Sequence, residues 1–241
     1  MEQQDIKEVS ALKIRMKFSK NGPLRFVGHL DIMRYFQKVF RRAEVDIAYS
    51  KGYSPHQIIS FAAPLGLGVT SDGEYLDAEF NSTKSSKEML EIINEQMNEG
   101  IVLLEFKELP DKCKNAMSSV AGADYRILFK EGYYEEEPFL EKVTDFFAQE
   151  SIVILKKTKK SEKEVDIRPM IYEMEVRDGH IYMKLATGSV NNLKPNLVME
   201  AFCRYLGLEY NKFGFGIHRL ETYLDQDGTL LPLGSVGEDI L

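Results

Sequence analysis

Cysteine and histidine are scarce in this 241-residue chain, and that scarcity removes several chemistries at once. Two cysteines, Cys113 and Cys203, cannot build a disulfide framework, contain no C-x-x-C, and fall short of the thiolates an iron–sulfur cluster needs. Cys203 also falls on the apolar side of a predicted helix, where a buried inert thiol belongs. The four histidines, His29, His56, His180 and His218, are scattered, so no metal ligand set is assigned. Gly66, Gly68 and Gly73 make no phosphate-binding loop: Ser71 takes the last dinucleotide-glycine place and no Gly-Lys pair follows Gly73. No apolar run approaches the roughly 18 to 20 residues of a membrane span, and the start MEQQDIKEVS lacks a secretory pattern, so the expectation is a cytoplasmic protein. Net positive charge is also missing. A formal charge of −7 argues against indiscriminate coating of nucleic acid, which depends on neutralising many phosphates.

What is present is a core-forming composition, 44% apolar, with segregated charge. Residues 1–60 hold 11 Lys and Arg against 6 Asp and Glu, whereas residues 131–150 hold 7 acidic residues against one Lys. An anionic partner can therefore dock on the first segment.

The periodicity of the first half predicts β-α-β-β-α-β. Leu12, Ile14, Met16 and Phe18 alternate with Lys13, Arg15 and Lys17, a half-buried strand with a basic outer face. A helix over about 29–44 follows, with Met33, Phe36, Val39, Phe40 and Ala43 inward and Arg34, Lys38 and Arg41 on another face. Strands are expected at Ile58 to Ala62, around Tyr75 to Phe80 and at Ile101 to Phe106, with a helix opened by a Ser85–Glu88 capping box and ended at Gly100.

The second half repeats this grammar. Its expected strands are Tyr125 to Phe129, Ile152 to Leu155, Met170 to Val176, Ile181 to Leu185 and Ile217 to Leu224, with a hairpin at Arg177-Asp178-Gly179-His180. Its helices open at Pro138 and Pro195. The expectation is an α+β chain of two tandem ferredoxin-like (βαββαβ) units, 11–109 and 123–228, joined by a linker near 110–122. Residues 156–164 would form a charged loop, and 229–241 a tail ordered only by docking.

The candidate site is the cationic helix face with the loop after it, Tyr49-Ser50-Lys51-Gly52-Tyr53-Ser54-Pro55-His56. Arg25, Arg34, Lys38, Arg41 and Arg42 would hold phosphates; Tyr49 and Tyr53 would stack bases or shape a pocket; Lys51 and His56 would finish an anion site. The plainer reading makes the stripe a solvated helix face, with Lys13, Arg15 and Lys17 pairing with Asp77 and Glu79 on a neighbouring strand. His29, at the helix entrance, suits either a general base or a residue that shapes that entrance beside Gly28 and Asp31. The glycine-rich turn KFGFGIHR at 212–219 is similar to one in ferredoxin-like RNA-processing proteins of the CRISPR repeat-cleaving type. That likeness implies an alternative, metal-independent RNA cleavage by His29.

The run GHLDIMRYFQKVFRRAEVDIAYSKGYSPHQIISFAAPLGLGVTSDGEYLDAEF, Gly28 to Phe80, resembles the bacterial radical-SAM-linked protein family, an uncharacterised domain read as GHLDxxRxFxRAxRRAGLPxxYSxGFxPHPxxSFAxPLxxGxxSxGEYxD. The resemblance extends more weakly through VDIRPMI at Val165–Ile171 and Lys194-Pro195 to His218-Arg219. Glu44, Tyr53 and Gln57 stand where the family has Gly, Phe and Pro. Such proteins occur beside, or fused to, B12-binding-type radical SAM enzymes. The resemblance implies an accessory module that binds structured RNA, tRNA or rRNA, for a modification reaction, with no cofactor of its own. The partner would carry the iron–sulfur cluster and S-adenosylmethionine. A protein-only scaffold for that enzyme is the remaining alternative.

Overall fold

The computed structural model describes residues 11–157 and 162–241. Along the chain run β1 (Leu12–Lys20), α1 (His29–Arg42), β2 (Ile59–Phe61), β3 (Thr70–Phe80), α2 (Ser86–Asn94), β4 (Ile101–Glu108), α3 (Ala116–Ser119) and β5 (Val120–Phe129). They are followed by α4 (Glu137–Phe147), β6 (Val153–Lys157), β7 (Glu162–Asp166), β8 (Ile171–Arg177), β9 (His180–Ala186), α5 (Pro195–Tyr205), β10 (Phe215–Gln226), β11 (Thr229–Pro232) and β12 (Glu238–Asp239). Local chemistry accounts for many boundaries. The Ser85 hydroxyl accepts from Glu88 N while the Glu88 carboxylate accepts from Ser85 N, which opens α2. Asp178 and Gly179 both take positive φ, 48° and 75°, the geometry that a two-residue turn needs to keep the twist of β8 and β9.

The fold is mixed α/β, built on one large, mostly antiparallel sheet in the order β12-β4-β1-β3-β10-β5-β9-β8, with β2 on β3 and β11 on β10. Within the first half β4, β1, β3 and β2 neighbour one another antiparallel. Within the second, β10, β5, β9 and β8 do the same. The first core packs Phe36, Val39 and Phe40 of α1 and Ile93 of α2 against Ile14, Met16, Leu76 and Phe106, with edge-on ring contacts such as Phe80–Phe106 at 5.4 Å. The second packs Phe139 and Phe146 of α4 and Phe202 of α5 against Ile127, Ile181 and Met183. Burying each such ring contributes about 1.5–3 kcal/mol, which explains why the helical stripes read so clearly in the sequence.

Several boundaries differ from the sequence expectation, each for a physical reason. The segment 110–122 is no open linker: Asn115 caps α3 by accepting from Ser118 N, and β5 begins at Val120, placing Gly122 inside a strand. The expected middle strand Ile152 to Leu155 leaves the main sheet, and β6 pairs with β7 in a separate two-stranded ribbon. Asp166 Oδ1 ties that ribbon off by accepting from Ile152 N and Arg168 N. Glu162, Lys163 and Glu164 of the expected charged loop therefore belong to β7. Residues 158–161 of that loop lie outside the described residues. α2 ends at Asn94, ahead of Gly100, and β3 starts well before Tyr75, at Thr70. The tail is part of the sheet: β11 pairs with β10, β12 pairs with β4, and Leu233 between them is fully buried.

Of the basic outer face expected of β1, Lys13 stays exposed, while Arg15 and Lys17 lie in a covered ion-pair layer. Arg15, 1% exposed, donates from Nε and Nη2 to the two Asp77 oxygens at 2.8 and 3.0 Å and to the carbonyls of Leu233 and Lys114. Lys17 pairs with Glu221 at 2.6 Å. The tail and the segment before α3 supply the cover, so these cations meet carboxylates and carbonyls in place of solvent.

Candidate ligand cleft and cationic face

The two halves of the sheet meet where β3 and β10 run parallel, pairing Thr70 with His218 and Ser71 with Arg219. Backbones this close exclude a side chain: a Cβ at Gly73 would overlap Glu221 Cα and lie 2.7 Å from the Leu220 carbonyl oxygen and 2.9 Å from Glu221 N. Thr222 Oγ1 donates to the Gly73 carbonyl at 2.7 Å, and His218 bonds Thr70 and Asp72 at 2.8 and 3.0 Å.

Charge is buried at this joint. Arg219 Nη1 donates to Glu74 at 2.9 Å and to the Ala63 carbonyl at 3.1 Å, and its guanidinium lies 5.6 Å from the Tyr125 ring. Burial works against the charged guanidinium, but Glu74 and Tyr125 together more than offset it and hold Arg219 above its ordinary range. Lys20 lies nearby, donating to the Val27 carbonyl; burial lowers its ammonium pKa, and Glu74 acts in the opposite direction. Glu74 thus pairs with Arg219 and only partly offsets the burial of Lys20, whose ammonium stays below its ordinary value.

Beside the joint opens a cleft of about 500 Å³. One wall is the segment Ala62 to Leu67 with Val69, the other is the loop Thr187 to Ser189 continuing into the start of α5, and Tyr125, Ile217 and Arg219 line it between them. Gly188 lets that loop cross β5, since a Cβ there would meet the Val120 carbonyl at 2.6 Å. α5 opens on Lys194 and Pro195 with no side chain capping it, and Lys194, Pro195 and Asn196 line the cleft. No Asp or Glu is among the lining residues. A smaller pocket shares Pro64 and Leu65 with the cleft and is lined by Lys20, His29, Phe61 and Glu74.

The residues expected from the sequence occupy other ground. Arg34 makes a 3.4 Å pair with Asp31, Lys38 is exposed, and Arg41 Nε donates to the Gln37 carbonyl at 3.3 Å. Arg42 is turned toward the end of α2, where it donates to the Gln96 carbonyl at 2.6 Å. Arg41 and Tyr49 line one groove, together with Glu44 and Asp46. The loop is pinned at its base: Ser50 N donates to the His56 carbonyl, His56 N donates to Ser50 Oγ, and the His56 ring bonds that hydroxyl at 2.8 Å. His56 therefore closes the loop, and Lys51 and a fully exposed Tyr53 sit at its tip. Arg25 stacks on Phe26 and accepts from Gly68 N through its carbonyl, and it lines neither the cleft nor the smaller pocket. His29 is half-buried, edge-on to Phe61 at 5.2 Å.

Sequence reasoning missed the cleft. Its polar residues, Thr187, Ser189, Asn192, Asn196 and Lys194, belong to types common in any loop; the usable signal was Lys194-Pro195 opening a helix directly after a Gly-Ser-Asn-rich run. Among the described residues no group of three or more His, Cys, Asp or Glu is arranged to hold a metal, and no helix is long and apolar enough to cross a membrane.

Comparison with known proteins places the chain in a family. Residues 13–195 match the model of DUF2344, described as an uncharacterized protein conserved in bacteria, and the chain belongs to that family. No curated protein matches. Among solved structures, a chain in the crystal structure of a Cbf5-Nop10-Gar1 complex is similar at 12% identity and a TM-score of 0.43, over 90% of this chain and 51% of that one. This chain thus spans about half the length of the solved chain it matches.

Proposed function

We propose that this member of the DUF2344 family is a cytoplasmic, non-catalytic module of two ferredoxin-like units that binds structured RNA for a separate radical SAM enzyme acting in tRNA or rRNA modification. The observation that carries the reading is Tyr53, fully exposed at the tip of a loop pinned by Ser50 and His56, next to the helix that carries Arg34, Lys38 and Arg41. An exposed ring on a braced loop suits base stacking, and cations spaced along one helix suit successive phosphates. The antiparallel neighbours β4-β1-β3-β2 and β10-β5-β9-β8 support the ferredoxin-like reading, with the β6–β7 ribbon as an insertion in the second unit. Iron–sulfur and S-adenosylmethionine chemistry would belong to the partner enzyme.

The test is binding of the full chain to labelled bulk tRNA and rRNA fragments across a salt series. Lys38→Ala/Arg41→Ala is expected to reduce the salt slope by about 1.5 if both cations touch phosphate, and Tyr53→Ala to weaken binding without changing that slope. Unchanged affinity and slope in both variants would refute the reading. Complex formation with the radical SAM enzyme in the absence of RNA binding would favour a protein scaffold. RNA cleavage that survives chelator and vanishes in His29→Ala would make the protein a nuclease.

A further inference from the structure

We infer that the acidic segment leading into α4 and the glycine-rich turn before β10 together form a docking groove for an arginine-bearing segment of a partner protein. The groove lies in the second half of the chain and does not depend on the RNA reading. Tyr134 joins the two stretches. Its hydroxyl donates to the Glu209 carbonyl at 2.8 Å and accepts from Asn211 N, 77 positions along the chain. Its ring stacks on Phe215 at 4.8 Å, and a Cβ at Gly214 would overlap that ring, so the turn needs glycine to close on it. The groove so formed has a volume of about 490 Å³.

Three properties define the occupant's chemistry. First, Tyr133, Tyr134, Tyr210 and Phe213 line the groove, and ring faces attract cations. Lys212, also in the lining, already lies over one of them, its Nζ 4.8 Å from the Phe213 centroid. Second, Glu209 lines the groove, and Glu131, Glu135, Glu136 and Glu137 stand exposed on the segment that carries Tyr133, against Lys130 and Lys212. That balance repels a phosphate backbone and complements a basic segment. Third, Tyr133 and Phe213 are 46% and 58% exposed, so the groove is an open surface, suited to a length of chain where a small molecule needs enclosure. Arginine fits better than lysine, because a planar guanidinium stacks on a ring while its N–H groups reach a carboxylate, and the groove offers both. A guanidinium on Phe213 takes the place of Lys212, which therefore competes with it.

The experiment is fluorescence anisotropy of a labelled peptide of alternating arginine and glycine, titrated with the full chain. Peptides with lysine or with citrulline, which keeps the shape and lacks the charge, in place of arginine are separate arms. The arginine peptide is expected to bind, the lysine peptide several-fold more weakly, and the citrulline peptide at least about tenfold more weakly. Tyr133→Ala and Phe213→Ala remove exposed rings, so both variants are expected to keep the circular dichroism and Tm of wild type and to weaken binding by about two- to fivefold each. Lys212→Ala should tighten it, and Glu135→Gln/Glu136→Gln should weaken it and flatten its salt dependence. No binding by the arginine peptide, equal binding by the lysine or citrulline peptide, or ring variants that bind like wild type would overturn the assignment, the last because only diffuse attraction to an acidic surface would then remain. Phe213→Ala should bind RNA as wild type does, which separates failure here from failure of the RNA reading.

Discussion

Replacing Gly73 with alanine acts where the two halves of the sheet touch backbone to backbone. The added Cβ would sit 2.7 Å from the Leu220 oxygen and 2.9 Å from Glu221 N, and an ordinary contact needs at least 3.4 Å, so the two strands must separate by several tenths of an ångström. Both neighbours are main-chain atoms held in β10, which pairs with β5 along its length, so a side-chain rotation cannot relieve the clash. Overpacking of this kind costs about 1–3 kcal/mol. Separation also stretches the Thr222–Gly73 bond and the buried Glu74–Arg219 pair, so the expected loss is near the top of that range, about 3 kcal/mol. For a chain of this length that corresponds to a fall of about 6–12 °C in Tm. Urea denaturation followed by far-ultraviolet circular dichroism would measure it, and a lower m-value would report halves that unfold separately. Gly66→Ala is the control: its Cβ would meet only Val69 Cγ2, at 3.7 Å, and should be near neutral. A Gly73→Ala protein with the midpoint of wild type would refute the account of the joint.

Asp77→Ala leaves the buried Arg15 guanidinium without its bidentate partner and removes an acceptor for Ala116 N; a loss of about 3–5 kcal/mol by chemical denaturation is expected, and a loss under about 1 would contradict the covered ion-pair layer. Leu233→Ala empties a fully buried site in the tail and should cost about 2–5 kcal/mol in the same assay, whereas a dispensable tail would show no change. The Glu88 carboxyl is held below its ordinary value of 4.5, first by the Ser85 side chain and then by the Ser85 backbone. Because its folded pKa is depressed, its contribution is present above the unfolded value and fades as pH falls through the folded one. The stability difference between wild type and Glu88→Gln should therefore shrink on acidification below about 4.5, measured as urea midpoints from about pH 7 to about pH 3.

Elements set by near neighbours are legible in the sequence. The stripe of α1, the capping box of α2, the prolines opening α4 and α5 and the Asp178–Gly179 hairpin all follow from residues within one or two turns of each other. What escapes is decided by partners far along the chain. Arg15 meets Leu233 across 218 positions and Arg219 meets Glu74 across 145, and no local pattern separates these arginines from solvated ones such as Arg34. The same holds for Ile152 to Leu155, whose alternation suits the main sheet although the chain pairs it with β7.

The GEYLD run shows how the two kinds of information divide. Its resemblance to a family pattern singles out Gly73, Glu74 and Asp77 without a reason for any of them. Gly73 and Glu74 acquire one only in three dimensions, since Gly73 admits the β10 backbone and Glu74 neutralises Arg219 at the cleft, whereas the pairing of Asp77 with Arg15 across neighbouring strands is open to the sequence and only its cover by the tail is not. If that division is correct, Glu74→Gln combined with Arg219→Met should be less destabilising than Glu74→Gln alone, because removing both charges avoids an unpaired buried cation. A double-mutant cycle in which the two effects simply add would show that the pair is not coupled, and with it would fall the explanation of why the run carries an acid at position 74.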